Sequence, residues 1–184
     1  MSVEVSSLAP GLLAETAVAR VSVLPAKARL SLRARGSAAP IAAALGLGLP
    51  DRIGRRAAAG AIEAIRLGPD EWTVLVPAED AARLIAACTA LATSHPHSLV
   101  DISGREVTLL IEGSKAAELL TLGCPRDIAT IPPGEGRRTL FDGATVVLWR
   151  DAENRFRIDV WNSFASHIAQ LLHTGCNELA AEPA

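Results

Sequence analysis

Two stretches of this chain follow the same grammar, and that repetition limits the fold more than any single motif. Asp70-Glu71-Trp72-Thr73-Val74-Leu75-Val76 and Asn154-Arg155-Phe156-Arg157-Ile158-Asp159-Val160 each run two polar residues, an aromatic, then alternation ending in Val. Alternation at period two marks a strand with one buried face. Each stretch leads into apolar residues at helical spacing: Ala81, Leu84 and Cys88 in the first, Ala165, Ile168 and Leu172 in the second. Upstream, Gly36-Ser37 aligns with Gly113-Ser114, and Gly46 with Gly123. The fold class is therefore read as α+β, with two pseudo-repeated β-α-β-β-α units.

The rest of the chain fills in around this frame. Leu30 and Leu32 alternate with Ser31 and Arg33 in a half-buried strand that begins at Lys27. Ser37 is a helix N-cap, Pro40 suits the first turn, and Gly46 and Gly48 end that helix. Residues 51–60, with Asp51, Arg52, Arg55, Arg56 and two glycines, read as a loop. Gly68-Pro69-Asp70-Glu71 turns a hairpin between 61–67 and 72–76, and a helix starts at Pro77. Short strands are expected at 100–103 and 106–111, and a helix from Gly113-Ser114 through Leu122. Strands at 137–141 and 144–149 are joined by Asp142-Gly143, a hairpin dipeptide. A last strand at 156–161 precedes a helix from Asn162 to about Thr174. The expected domain organisation is an N-terminal arm over 1–20, one α+β domain over 21–176 with halves at 27–93 and 100–174, and a tail over 177–184.

Hydrophobic residues make up 49 % of the 184 and charged residues 21 %, the balance of a folded globular chain. A net charge of −2 and a lack of Tyr argue against nucleic-acid binding. Glu4 and Glu15 flank the apolar N-terminal residues, against a signal peptide, and no apolar run is long enough to span a membrane. Cys88, Cys124 and Cys176 are widely spaced with no CxxC, which fits reduced thiols and a cytoplasmic location.

Motifs of known chemistry are missing. Gly46-Leu47-Gly48 lacks the third glycine of a dinucleotide loop, and no P-loop, GxSxG or HExxH occurs. His95 and His97 sit in a Ser-His-Pro-His-Ser loop and read as solvated. His167 and His173, six apart on a helix, face different ways. Cys124 follows a helix, where nothing acidifies it, and reads as a buried filler. Asp101 is a carboxylate that either caps a turn or pairs with Arg105, with a catalytic role as the rival. No catalytic, cofactor-binding or metal residue is assigned in this chain. The candidate partner contacts are Arg52, Arg55 and Arg56, with a solvated loop as the competing reading, and Trp149 and Trp161, for which core packing competes equally.

Val100-Asp101-Ile102-Ser103-Gly104-Arg105 followed by Leu110-Ile111-Glu112-Gly113-Ser114-Lys115-Ala116-Ala117-Glu118-Leu119-Leu120 resembles a stretch of the folate-binding aminomethyltransferase superfamily. Leu67-Gly68-Pro69-Asp70-Glu71-Trp72, Gly123-Cys124-Pro125-Arg126-Asp127, Arg138-Thr139-Leu140-Phe141, Val147-Leu148-Trp149-Arg150 and 156–164 narrow the resemblance to gamma subunits of heterotetrameric sarcosine oxidase. It covers about residues 27–174. It implies a fold like the folate-binding lobes of aminomethyltransferase and a four-subunit complex that oxidatively demethylates sarcosine to glycine. It places FAD, FMN, NAD and tetrahydrofolate in partner subunits, with the large alpha subunit as chief partner, and gives this chain an accessory, non-catalytic role. Complexes that oxidise N-methylglutamate use similar subunits and are an alternative. So is a stand-alone folate-dependent one-carbon transferase using Asp101 or Asp159, and a small-molecule sensor with a relic folate pocket remains a third reading.

Overall fold

The computed structural model describes residues 8–181. In chain order the elements are β1 (Gly11–Glu15), β2 (Arg20–Val23), β3 (Ala28–Ala34), α1 (Ala39–Leu45), β4 (Arg56–Ala59), β5 (Ile62–Gly68), β6 (Glu71–Val76), α2 (Ala78–Thr89), β7 (His97–Asp101), β8 (Glu106–Glu112), α3 (Ala116–Thr121), β9 (Glu135–Phe141), β10 (Ala144–Ala152), β11 (Arg155–Trp161) and α4 (Asn162–Ala181). The chain divides into two compact units. One holds residues 27–103; the other is assembled from the residues before 27 and after 103.

The 27–103 unit is an antiparallel sheet in the order β4-β5-β6-β3-β7. Leu30, Leu32, Trp72 and Val74 alternate onto the face that packs with Ile41 and Leu45 of α1 and with Leu84 and Cys88 of α2. Glu79 and Asp80 complement the N-terminal end of α2, and Gly46 ends α1 in the left-handed region at φ 68°. The unit's ends are tied to each other. Arg29 N–H donates to Ser103 Oγ at 2.9 Å, and Ile102 N–H to Arg29 O at 2.8 Å.

The other unit is a six-stranded antiparallel sheet, β1-β2-β8-β11-β10-β9. Leu109, Ile111, Leu148, Phe156, Ile158 and Val160 pack with Leu119 and Leu120 of α3 and Ile168, Leu172 and Cys176 of α4. Each unit contains the order strand, helix, three-strand meander, helix (β3 to α2 and β8 to α4), to which one adds β7 and the other β1 and β2.

Several expectations are corrected. Within the 1–20 segment read as an arm, Gly11–Glu15 form β1, which pairs with β2 (Arg20–Val23), and β2 pairs with β8. The bulge between Leu12 and Ala14 breaks the period of two, so no alternation was visible there. Residues 56–59, read as loop, are β4; alanines make a poor strand signal, and pairing with β5 overrides it. β7 begins at His97, ahead of the expected start at 100 and inside the histidine loop. The N-cap of α1 is Ala38 and makes no side-chain bond, while Ser37 Oγ accepts from Ala39 N–H at 3.4 Å one position too early. α4 passes Thr174 and runs on to Ala181. Gly175 reads as a stop but lies inside the helix, where an added Cβ would fall 2.1 Å from Leu122 Cδ1.

Candidate functional site

A cleft opens in the 27–103 unit where the end of β3, α1, the chain after α1 and the β5–β6 turn meet. Gly36, at φ +76°, turns the chain from β3 toward α1. The floor is small and apolar: Ala34, Ala38, Ala42, Leu49 and Pro50, backed by Trp72. Its volume is about 830 Å³, within the ~300–1,000 Å³ typical of ligand pockets.

Two side chains hold the walls. Trp72 is 5 % exposed, and its Nε1–H donates to Pro50 O at 2.9 Å. The Arg66 guanidinium lies 4.8 Å from the Trp72 ring centroid. It donates Nε–H to Gly68 O at 3.1 Å and its terminal N–H groups to the carbonyls of Asp51 and Pro69. Arg66 thus spends its donors on backbone and sets the spacing between the loop after α1 and the hairpin turn. Arg35 is different. Its side chain is 93 % exposed and makes one long ion pair, 3.6 Å, to Asp70, which Arg33 also holds at 3.1 Å. The cleft can seat an apolar body with an anionic group at Arg35. It brings together no nucleophile and base.

The carboxylates considered for folate chemistry do other work. Asp101 Oδ1 accepts from Ser103 N–H at 2.9 Å and from Ser103 Oγ–H, which makes it a turn cap; Arg105 pairs with Glu106 instead. Asp159 is 2 % exposed and accepts from Thr108 Oγ1–H and Trp149 Nε1–H, each at 2.6 Å. Arg157 stacks 4.7 Å over Trp149 and pairs with Asp151 at 2.7 Å. These bonds tie β8, β11 and β10 together as a buried ladder.

The sequence-derived contacts separate. Trp149 has no exposed surface in this chain and so offers none to a partner. Trp161 is 45 % exposed, with Arg105 at 5.7 Å from its ring, and Phe164 beside it in the first turn of α4 is 43 % exposed. Arg52 and Arg55 are exposed, while Arg56 is half-buried and bonded to Glu63 across the β4–β5 pair. His97 Nδ1–H donates to His95 O at 2.7 Å, and His95 Nδ1 meets Ser94 Oγ. Among the described residues no group of three or more His, Cys, Asp or Glu could hold a metal ion. All three cysteines are free and buried, and burial pushes the Cys88 thiol up from its ordinary pKa. Among the described residues no helix is long and apolar enough to cross a membrane. Sequence reasoning missed the cleft. Its signal was a Trp directly after a Gly-Pro turn, with a second Pro twenty-two residues upstream that accepts the indole bond.

The profile described as "Sarcosine oxidase, gamma subunit family" matches residues 33–178. The chain is 31 % identical to the sarcosine oxidase subunit gamma of Corynebacterium sp. (strain P-1), over 80 % of this chain and 73 % of that one. It is 33 % identical to that of Corynebacterium sp. (strain U-96), over 78 % and 70 %. Among solved structures, a chain of the heterotetrameric sarcosine oxidase from Corynebacterium sp. U-96, in complex with pyrrole 2-carboxylate, superimposes with a TM-score of 0.82. That match has 27 % identity and covers 93 % of this chain and 90 % of that one. The glycine cleavage system aminomethyltransferase T from Bartonella henselae shares the fold at a TM-score of 0.60 and 17 % identity, over 85 % of this chain and 45 % of that one.

Proposed function

Given that the chain belongs to the sarcosine oxidase gamma subunit family, we propose that it is the accessory gamma subunit of a heterotetrameric sarcosine oxidase and carries no catalytic residue of its own. The observation that carries this reading is the likeness, over nearly its whole length, to a chain of an assembled sarcosine oxidase. Burial is its mechanism. Apolar surface on this chain docks on the large alpha subunit, and mass action favours the assembled state. Trp161 is the proposed anchor, with Phe164 beside it, because both expose aromatic surface at one strand–helix junction. Arg52 and Arg55 are proposed as flanking contacts. FAD, FMN, NAD and tetrahydrofolate belong to the partner subunits, and the complex works in the cytoplasm. The shared order of strand, helix, meander and helix supports a pseudo-repeat, with β4 completing in the first copy the three-strand meander expected only in the second.

The test is affinity purification of the tagged chain from its native cells, with mass spectrometry and a visible spectrum of the eluate. Stoichiometric larger subunits and flavin absorbance are expected. A colourless eluate holding this chain alone would overturn the reading.

A further inference from the structure

We infer that the cleft beside α1 receives a segment of another subunit that carries an apolar side chain next to a carboxylate. This inference rests on the subunit reading and deepens it by naming the chemistry of one contact. Ala38, Ala42, Leu49 and Pro50 offer apolar surface around an open volume of about 830 Å³, which leaves room for a side chain from outside. The walls are pre-set, because Arg66 and Trp72 bond the carbonyls of Asp51, Pro69 and Pro50. A pre-formed wall lowers the ordering cost of docking. The rim supplies the charge. Arg35 extends into solvent with one long ion pair, so most of its guanidinium fork remains available to a carboxylate. The wider charge distribution points the same way. Residues 27–103 hold nine Lys and Arg against seven Asp and Glu, in a chain whose net charge is −2. The unit is thus net positive, and although Asp51 and Asp70 also line the cleft, Asp70 is held by Arg33 and Arg35 together, so the attraction for an acidic segment is local to Arg35.

The experiment uses the full chain co-expressed with its partner subunits. The photoreactive residue p-benzoylphenylalanine replaces Ala39, which is exposed and lines the cleft. After irradiation of the purified complex, we expect a cross-link to a partner segment with Asp or Glu beside an apolar residue. Arg35→Glu should weaken retention of the chain in the complex about tenfold or more, and Arg35→Lys far less, since a reversed charge repels the acid. Circular dichroism of both variants checks that each is folded. A complex that assembles without the cross-link, or with one to a segment lacking acids, would overturn the inference and leave the subunit reading standing. So would full retention of Arg35→Glu, or a small organic carboxylate found bound by native mass spectrometry with the cleft closed to protein. If the wild-type chain enters no complex, the subunit reading itself falls, and the inference with it.

Discussion

Replacing Trp149 with Phe tests the buried ladder that spans β8, β11 and β10. The indole Nε1–H donates to Asp159 Oδ2 at 2.6 Å, and Asp159 is 2 % exposed, so water cannot take over as donor. Loss of a hydrogen bond to a buried charged group costs about 1.5–3 kcal/mol. Phe is smaller by ~40 Å³, and unfilled volume at about 24 cal/mol per Å³ adds on the order of 1 kcal/mol. Part of the Arg157 stacking survives, because Phe keeps an aromatic face. The sum is a loss of about 2.5–4 kcal/mol, a large share of the ~5–15 kcal/mol that holds a domain together. For a chain of this size it lowers the melting temperature by about 5–16 °C. Urea and thermal unfolding of wild type, Trp149→Phe, Asp159→Asn and the double variant give the value and the coupling. A coupling of about 1–3 kcal/mol is expected for partners in one network. A Trp149→Phe loss below ~1 kcal/mol, or additive single effects, would refute the reasoning that this bond is a principal tie of the ladder.

Gly113→Ala should be among the most damaging single changes, costing more than ~3 kcal/mol by thermal unfolding, because an added Cβ would lie 2.4 Å from Val18 O in a residue held at φ +126°. Trp161→Ala should shift unfolding by less than ~1 kcal/mol, since the ring is half exposed, yet weaken binding to the partner subunits about tenfold or more in biolayer interferometry. Unchanged affinity would remove Trp161 from the interface. Burial raises the Cys88 thiol pKa, so the folded chain keeps a proton that the unfolded chain releases. The resulting stability is complete below the unfolded thiol pKa, about 8.5, and declines as pH rises toward the folded value. Urea midpoints at pH 8 and pH 10 should therefore fall further for wild type than for Cys88→Ala, and parallel falls would contradict this.

Strands with clean alternation and marked turns were legible in the amino acids. β6 and β11 each carry an aromatic as their second residue and end in Val or Trp, the β5–β6 hairpin turns on Gly-Pro-Asp, and the β9–β10 hairpin turns on Asp-Gly. Elements that depend on distant partners were not. β4 is mostly alanine and exists because β5 pairs with it. β1 carries a bulge that scrambles its period. Gly175 looks like a helix end because local propensity says so, and the approach of Leu122 and Leu119 explains why Gly sits there. The same limit applies to function. Trp149 lies inside β10 and Trp161 ends the neighbouring β11, and one is sealed inside while the other is half bare. The cleft was hard to read because two of its bonds join residues 15 and 22 positions apart through backbone carbonyls, so the Trp and Pro residues that mark it do not by themselves show which carbonyl each side chain meets.

The tie between Arg29 and Ser103 bears on how the protein is made. On the ribosome β1 and β2 emerge first, but their sheet partner β8 is translated only after the whole 27–103 unit. At ~5–20 residues per second, the early hairpin waits roughly 4–16 s with an unpaired edge. Joining β2 to β8 across a floppy insert of about 80 residues would cost on the order of 4 kcal/mol in chain entropy. A 27–103 unit that has already folded draws its entry and exit points together through β3 and β7. It acts as a clip, handing the nascent chain back beside the place it left, so the inserted unit is also a folding aid for the sheet that encloses it in sequence.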